Sequence, residues 1–141
     1  MGAWIALTKL LKSVTDVFFP SAASTKEYLL SDRYIELLNH FKPLLAEWKE
    51  KYLPKTGLNG CYYEVLFIEY QYARIFINSL GIQAIVEREL LNVNPGTSGD
   101  EPRPIKLEDV DYDYIQEVIS GACLTLESVT NRAMNDTLRF S

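Results

Sequence analysis

The stretch from Cys61 to Asn92 constrains the fold more than any other part of the chain. Val65, Leu66, Phe67, Ile68, Ile75, Phe76, Ile77, Leu80, Ile85 and Val86 lie within it, and it contains no proline. The runs Leu66-Phe67-Ile68 and Ile75-Phe76-Ile77 have strand character, but such length without a turn signal selects a helix. Gly81 lowers the local propensity without ending the helix. A helix apolar around most of its circumference has to be enclosed by others. The sequence therefore predicts an all-α fold, a helical bundle of about four long helices with a central buried helix, forming part of a larger α-helical domain.

The other predicted helices follow from periodicity and punctuation. The first covers about 3–18, with Trp4, Leu7, Leu11, Val14 and Phe18 at three- and four-residue steps, and Pro20 with the small, polar Ser21–Thr25 stretch ends it. The second, 31–53, starts near Ser31 or Asp32, either a good N-cap, and places Tyr34, Leu37, Leu38, Phe41, Leu45, Trp48 and Tyr52 on one face. Pro43 removes the bond to the Asn39 carbonyl, which predicts a kink or a break into two shorter helices. Leu53-Pro54, Gly57 and Gly60 close that segment ahead of the helix at 61–92. Residues 93–109 carry Asn94-Pro95-Gly96, Ser98-Gly99, Pro102 and Pro104 without periodicity and read as a flexible linker. The last helix, 111–138, is expected to take Asp111 as N-cap, with Val110 and Ile115 as a hydrophobic staple. The whole reads as a single partial domain.

Charge and cysteine usage exclude several functions. The net charge is −5, and the densest basic run, Lys49 to Lys55, is diluted by Glu50. Duplex binding needs clustered Lys and Arg to displace counterions from phosphate, so direct contact with nucleic acid is not expected. The two cysteines, Cys61 and Cys123, lie far apart in apolar surroundings and fit small core residues better than a disulfide or metal framework. Glu64, Glu69, Arg74, Glu87, Arg88 and Glu89 interrupt the longest apolar stretch, which argues against a membrane span.

No catalytic constellation stands out, and a non-enzymatic chain is expected. The single histidine, His40, has no partner near it in sequence, and one His with two Cys leaves a zinc site a ligand short. The acids from Asp100 to Asp113 lack the alternation around a glycine that a calcium loop needs, and fit a solvated helix start. One polar feature is unusual. Glu64, Gln71, Arg74 and Asn78 fall within roughly 80° of one another on the otherwise apolar third helix. Such a stripe either faces solvent or a neighbouring helix, or it lines a cavity where Arg74 meets an anionic effector.

The order of the segments resembles a known family. Leu10-Leu11-Lys12-Ser13-Val14 leads to Phe18-Phe19-Pro20-Ser21, then Ser31-Asp32-Arg33-Tyr34, then Phe41-Lys42-Pro43-Leu44-Leu45-Ala46-Glu47-Trp48. Glu69-Tyr70-Gln71-Tyr72-Ala73-Arg74-Ile75-Phe76-Ile77-Asn78-Ser79-Leu80 follows. This is similar to the regulatory middle region of fungal zinc-cluster (Zn2Cys6) transcription factors. The resemblance implies nuclear location and a role in gating a transcriptional activator, and offers no catalytic residues. The six-cysteine cluster and its coiled coil are absent from this sequence, so zinc is expected only in the missing cluster, and the chain reads as a fragment of a larger regulator. Expected partners are other parts of the same regulator or co-regulators and a small-molecule effector, with a homodimer favoured by helix faces left uncovered. The competing reading is a helical protein–protein interaction scaffold without a small ligand.

Overall fold

The computed structural model describes residues 2–53, 60–92 and 106–140, with the side chains in them except those of 60, 61, 92, 132 and 135–140. Among the described residues there are five helices and no strand, so the fold is all-α. They are α1 (Gly2–Phe18), α2 (Ala22–Leu30), α3 (Arg33–Tyr52), α4 (Gly60–Asn92) and α5 (Asp109–Phe140).

Helix α1 buries Ala3, Leu7, Val14 and Phe18. The expected face was right in period but shifted at its start: Trp4 is 59% exposed. One residue is about 100° of rotation, which turns Trp4 outward when Ala3 faces the core. The buried Trp48 Nε1 donates to the Ala3 carbonyl at 2.7 Å, tying the end of α3 to the start of α1. The Trp48 ring also stacks on Tyr70 of α4 with centroids 6.2 Å apart.

Helix α2 was not expected. The Ser21 side chain accepts from the Ser24 N–H, and the Thr25 hydroxyl donates to the Phe18 carbonyl at 2.5 Å. Short polar side chains that compete with helix in mid-segment here satisfy the first turn of α2 and the end of α1. Leu29, buried from α2, supplies the packing that so short a helix needs. Ser31 consequently caps the end of α2, and α3 starts behind Asp32, whose side chain makes no capping bond.

Pro43 does not break α3, which runs unbroken from Arg33 to Tyr52. Proline costs one backbone bond, and the buried row Tyr34, Leu38, Phe41, Leu45 and Trp48 holds both halves against α1 and α4.

Helix α4 packs against each of the other four helices. It buries Leu66, Tyr70, Ala73, Ile77, Leu80 and Ala84. Its opposite side is not enclosed: Val65, Tyr72 and Val86 are exposed, so the helix is covered on part of its circumference. Helix α5 begins two residues before the expected start. Asp111 is therefore not the N-cap: it sits in the first turn, and its Oδ2 accepts from the Glu108 N–H at 2.9 Å, the return half of a capping box. Val110 lies inside the helix and packs on the core. Of the linker expected over 93–109, residues 93–105 lie outside the described residues.

The two longest helices meet at a pair of glycines. A Cβ on Gly81 would fall 2.2 Å from Tyr114 Cδ2, and one on Gly121 would fall 2.9 Å from Ile75 Cγ1. Only hydrogen at these positions allows α5 to lie this close to α4.

Candidate functional site

The buried end of the α4 polar stripe opens into a cleft between α3, α4 and α5. Lys42, Leu45 and Ala46 of α3, Tyr70, Arg74 and Asn78 of α4, and Asp113, Gln116 and Glu117 of α5 line a volume of about 400 Å³. Helix α4 presents Tyr70, Arg74 and Asn78 there because they recur at four-residue steps, one above another on the helix surface.

Arg74 organises the cleft. Its Nε donates to Glu117 Oε2 at 2.6 Å, and its Nη1 lies 3.4 Å from Gln71 Oε1. The hydrogen bond from Arg74 holds the Glu117 carboxyl below its ordinary value, and the same bond raises the Arg74 guanidinium. Burial pushes the Tyr70 hydroxyl up, which keeps it a neutral donor at ordinary pH. Asn78 is nearly fully buried, and its Nδ2 donates to the Arg74 carbonyl at 2.8 Å. Among the described residues its Oδ1 has no hydrogen-bond partner. Such an unsatisfied acceptor is costly, and it is closed off from solvent, as are Tyr34 OH, Asp111 Oδ1 and Tyr114 OH.

Two of the four stripe residues, Arg74 and Asn78, line the cleft; Gln71 is buried near Gly121 of α5 and touches the site only through Arg74. Glu64, about two turns nearer the start of α4, does not line the cleft. Lys42, Glu117, Asp113 and Gln116 carried no local sign of belonging to it. They become neighbours only through the α3–α4 and α4–α5 packing, and no periodicity within one helix reports that. His40 lies exposed, its ring 5.2 Å from that of Phe41. Cys123 is a free, exposed cysteine and not a core residue, while the Cys61 side chain lies outside the described residues. No group of three or more His, Cys, Asp or Glu among the described residues is placed to hold a metal ion, and no described helix is long and apolar enough to cross a membrane.

A second polar cluster locks α4 to the start of α5. Arg88 Nη2 lies 2.5 Å from Oδ2 of the fully buried Asp111. Tyr34 and Tyr114 pack beside it with ring centroids 6.2 Å apart, and Lys42 Nζ sits 4.6 Å over the Tyr114 ring. Burial pushes the Tyr114 hydroxyl up to about 12. For Arg88, burial is the largest single effect and works against the charge, but the hydrogen bond and charge of Asp111, with smaller help from Tyr34 and Glu108, together outweigh it and leave its affinity for the proton raised. This cluster is enclosed and structural, whereas the Arg74 cleft is open.

The chain has a homologue among the fungal transcription factors. It is 48% identical over all 141 residues to Transcription factor hmgR of Aspergillus fumigatus. The chain spans 19% of that relative's length. No family model and no solved structure matches the chain.

Proposed function

We propose that this chain is an effector-sensing, activity-gating region of a nuclear fungal transcriptional regulator of the zinc-cluster type. The likeness to a fungal transcription factor supports the regulatory role, and the segment order around Trp48 and Tyr70–Leu80 supports the zinc-cluster type. DNA contact falls to another part of the regulator, because the net charge of −5 repels phosphate.

The observation that supports the sensing role is the part-buried Arg74–Glu117 pair, with Lys42, lining an open cleft. The cleft suits a small polar molecule with an anionic group for Lys42 or Arg74. Its volume of about 400 Å³ is that of a small-ligand site. An anionic group competing with Glu117 for Arg74 loosens a link between α4 and α5. Coupling requires only that the ligand prefer one of the two placements of α5, by about 1.4 kcal/mol for each tenfold shift in population.

The test is a reporter driven by the full regulator carrying Arg74→Ala, read across added small organic acids and amino acids, with the thermal stability of the variant measured alongside. The reading predicts a lost or right-shifted effector response. An unchanged response with unchanged stability removes it.

A further inference from the structure

The cavity at Arg74 continues along the seam between α3 and α4. A second cavity of about 690 Å³ lies beside it, lined by Lys49, Glu50 and Leu53 of α3 and by Tyr63 and Phe67 of α4. Ala46 and Tyr70 line both, so the two adjoin across them. On α3 the wall residues Lys42, Ala46, Lys49 and Leu53 recur at steps of three and four, and on α4 Tyr63, Phe67, Tyr70 and Arg74 do the same. Each set is one stripe along its helix, and the two stripes bound a single groove. From Lys42 to Leu53 the groove follows eleven residues of helix, roughly 16 Å.

The ends of the groove differ in chemistry. At one, Leu53, Tyr63 and Phe67 offer apolar surface, with the Tyr63 and Phe67 rings stacked at 6.2 Å. At the other, α5 adds a third wall around Lys42 and Arg74. Arg74 is engaged by Glu117 at 2.6 Å, and Lys42 and Lys49 lie near enough to help keep that carboxylate ionised. Three cations thus surround one carboxylate. Neither lysine is in an ion pair among the described residues. Lys42 Nζ rests 4.6 Å over the Tyr114 ring, and Lys49 Nζ 5.4 Å over the Tyr70 ring. The remaining acids of the groove, Asp113 and Glu50, are exposed and screened by water, whereas Lys42 is half-buried.

We propose that the ligand of this groove is an amphipathic carboxylate, with its head at Lys42 and Arg74 and an unbranched apolar tail laid over Ala46 against Tyr63 and Phe67. The proposal rests on the sensing role given to the cleft and adds the tail to it. A carboxylate head supplies the half-buried Lys42 with the anion it lacks. The passage at Ala46 is bounded on the α3 side by a single methyl group, so a chain crosses it without displacing a side chain. A groove of roughly 16 Å takes an extended chain of about eight to twelve carbons, given carbon–carbon bonds of about 1.5 Å. Volume argues against a docked helix. One helical turn, about 10 Å across and 5.4 Å long, already fills about 400 Å³. That is the whole of the cationic cavity.

The test titrates straight-chain monocarboxylates from butanoate to dodecanoate, each below its micelle concentration, into the 141-residue chain by calorimetry, beside alcohols of the same lengths. Affinity is expected to rise about threefold per added CH2 up to about ten carbons and then to level off. The alcohols are expected to bind at least about tenfold more weakly, and Lys42→Ala to weaken every acid by a similar factor. Ala46→Phe obstructs the passage and is expected to remove the gain with length. Ala46 is exposed, so helicity by circular dichroism is expected to hold, and Ala46→Leu repeats the test should it fall. Acids that bind without any gain in length overturn the proposal and leave the sensing role standing. Alcohols that bind as tightly as the acids overturn it, and so does a gain that persists in Ala46→Phe with helicity intact. No binding at any length overturns it as well, and only if amino acids also fail does the sensing role go with it.

Discussion

Replacing Gly81 with alanine sets two magnitudes against each other. Alanine in a helix interior is favoured over glycine by about 1 kcal/mol, so on propensity alone the change stabilises. The added Cβ would stand 2.2 Å from Tyr114 Cδ2, 2.3 Å from Cγ and 2.9 Å from Cβ. An ordinary carbon contact needs about 3.5–4.0 Å, so α5 must withdraw by more than an ångström. Rotation about χ1 would move Cδ2 and Cγ but not Cβ, which stays at 2.9 Å, and the fully buried Tyr114 ring has no free space to turn into. Overpacking of this kind costs about 3 kcal/mol, the upper end of the usual range, because withdrawal also stretches the Arg74–Glu117 and Arg88–Asp111 links. The net expectation for Gly81→Ala is a loss of about 2 kcal/mol, read from the urea midpoint at unchanged slope. Adding Tyr114→Ala removes the two closest contacts and leaves only the 2.9 Å approach of Cβ, so the double variant is expected to be less destabilised than the sum of the singles. A Gly81→Ala chain as stable as wild type, or more so, would refute the close approach of α4 and α5.

Other consequences are as direct. Arg88→Ala leaves the fully buried Asp111 without its cation and is expected to cost about 3 kcal/mol by chemical denaturation, with Arg88→Ala/Asp111→Asn recovering part of the loss. Glu117 has a folded-state value below its ordinary 4.5, so its pairing with Arg74 stabilises the fold above that value. That contribution disappears as pH falls through the lowered folded-state value. The Glu117 side chain is 40% exposed, so solvent screening keeps the effect at about 0.5 kcal/mol. Glu117→Gln is thus expected to be slightly less stable than wild type at neutral pH and to converge with it in acid, as read from unfolding curves over that range.

The sequence showed the helices wherever apolar periodicity was long, as in the rows through Leu38, Phe41, Leu45 and Trp48. It missed α2 because Ser21, Ser24 and Thr25 look like a loop until their hydroxyls are seen capping one helix and closing another. It overestimated Pro43, since propensity weighs one lost backbone bond and not the buried row on either side. Asp111 looked like a cap from its position, and only the fold shows that its carboxylate is buried against Arg88. The same limit applies to the cleft. Arg74 and Asn78 share one helix face and were legible together, while Glu117 and Lys42 enter by tertiary packing and Gln71 is buried against α5. Glu64 was grouped with them by angle alone, which ignores position along the axis.

The proposed sensing role rests on the cleft that Lys42, Arg74 and Asn78 line, and binding measured on the chain itself tests it most directly. A ligand that binds only the folded form adds RT ln(1 + [L]/Kd) to stability, about 2.7 kcal/mol at a hundredfold excess over Kd. Thermal unfolding of the 141-residue chain across small organic acids and amino acids, repeated with Asn78→Leu and Lys42→Ala, is the measurement. The account predicts concentration-dependent stabilisation of the wild-type chain by at least one such compound, reduced in both variants. No stabilisation by any compound up to millimolar concentration, or stabilisation identical in all three chains, would contradict it.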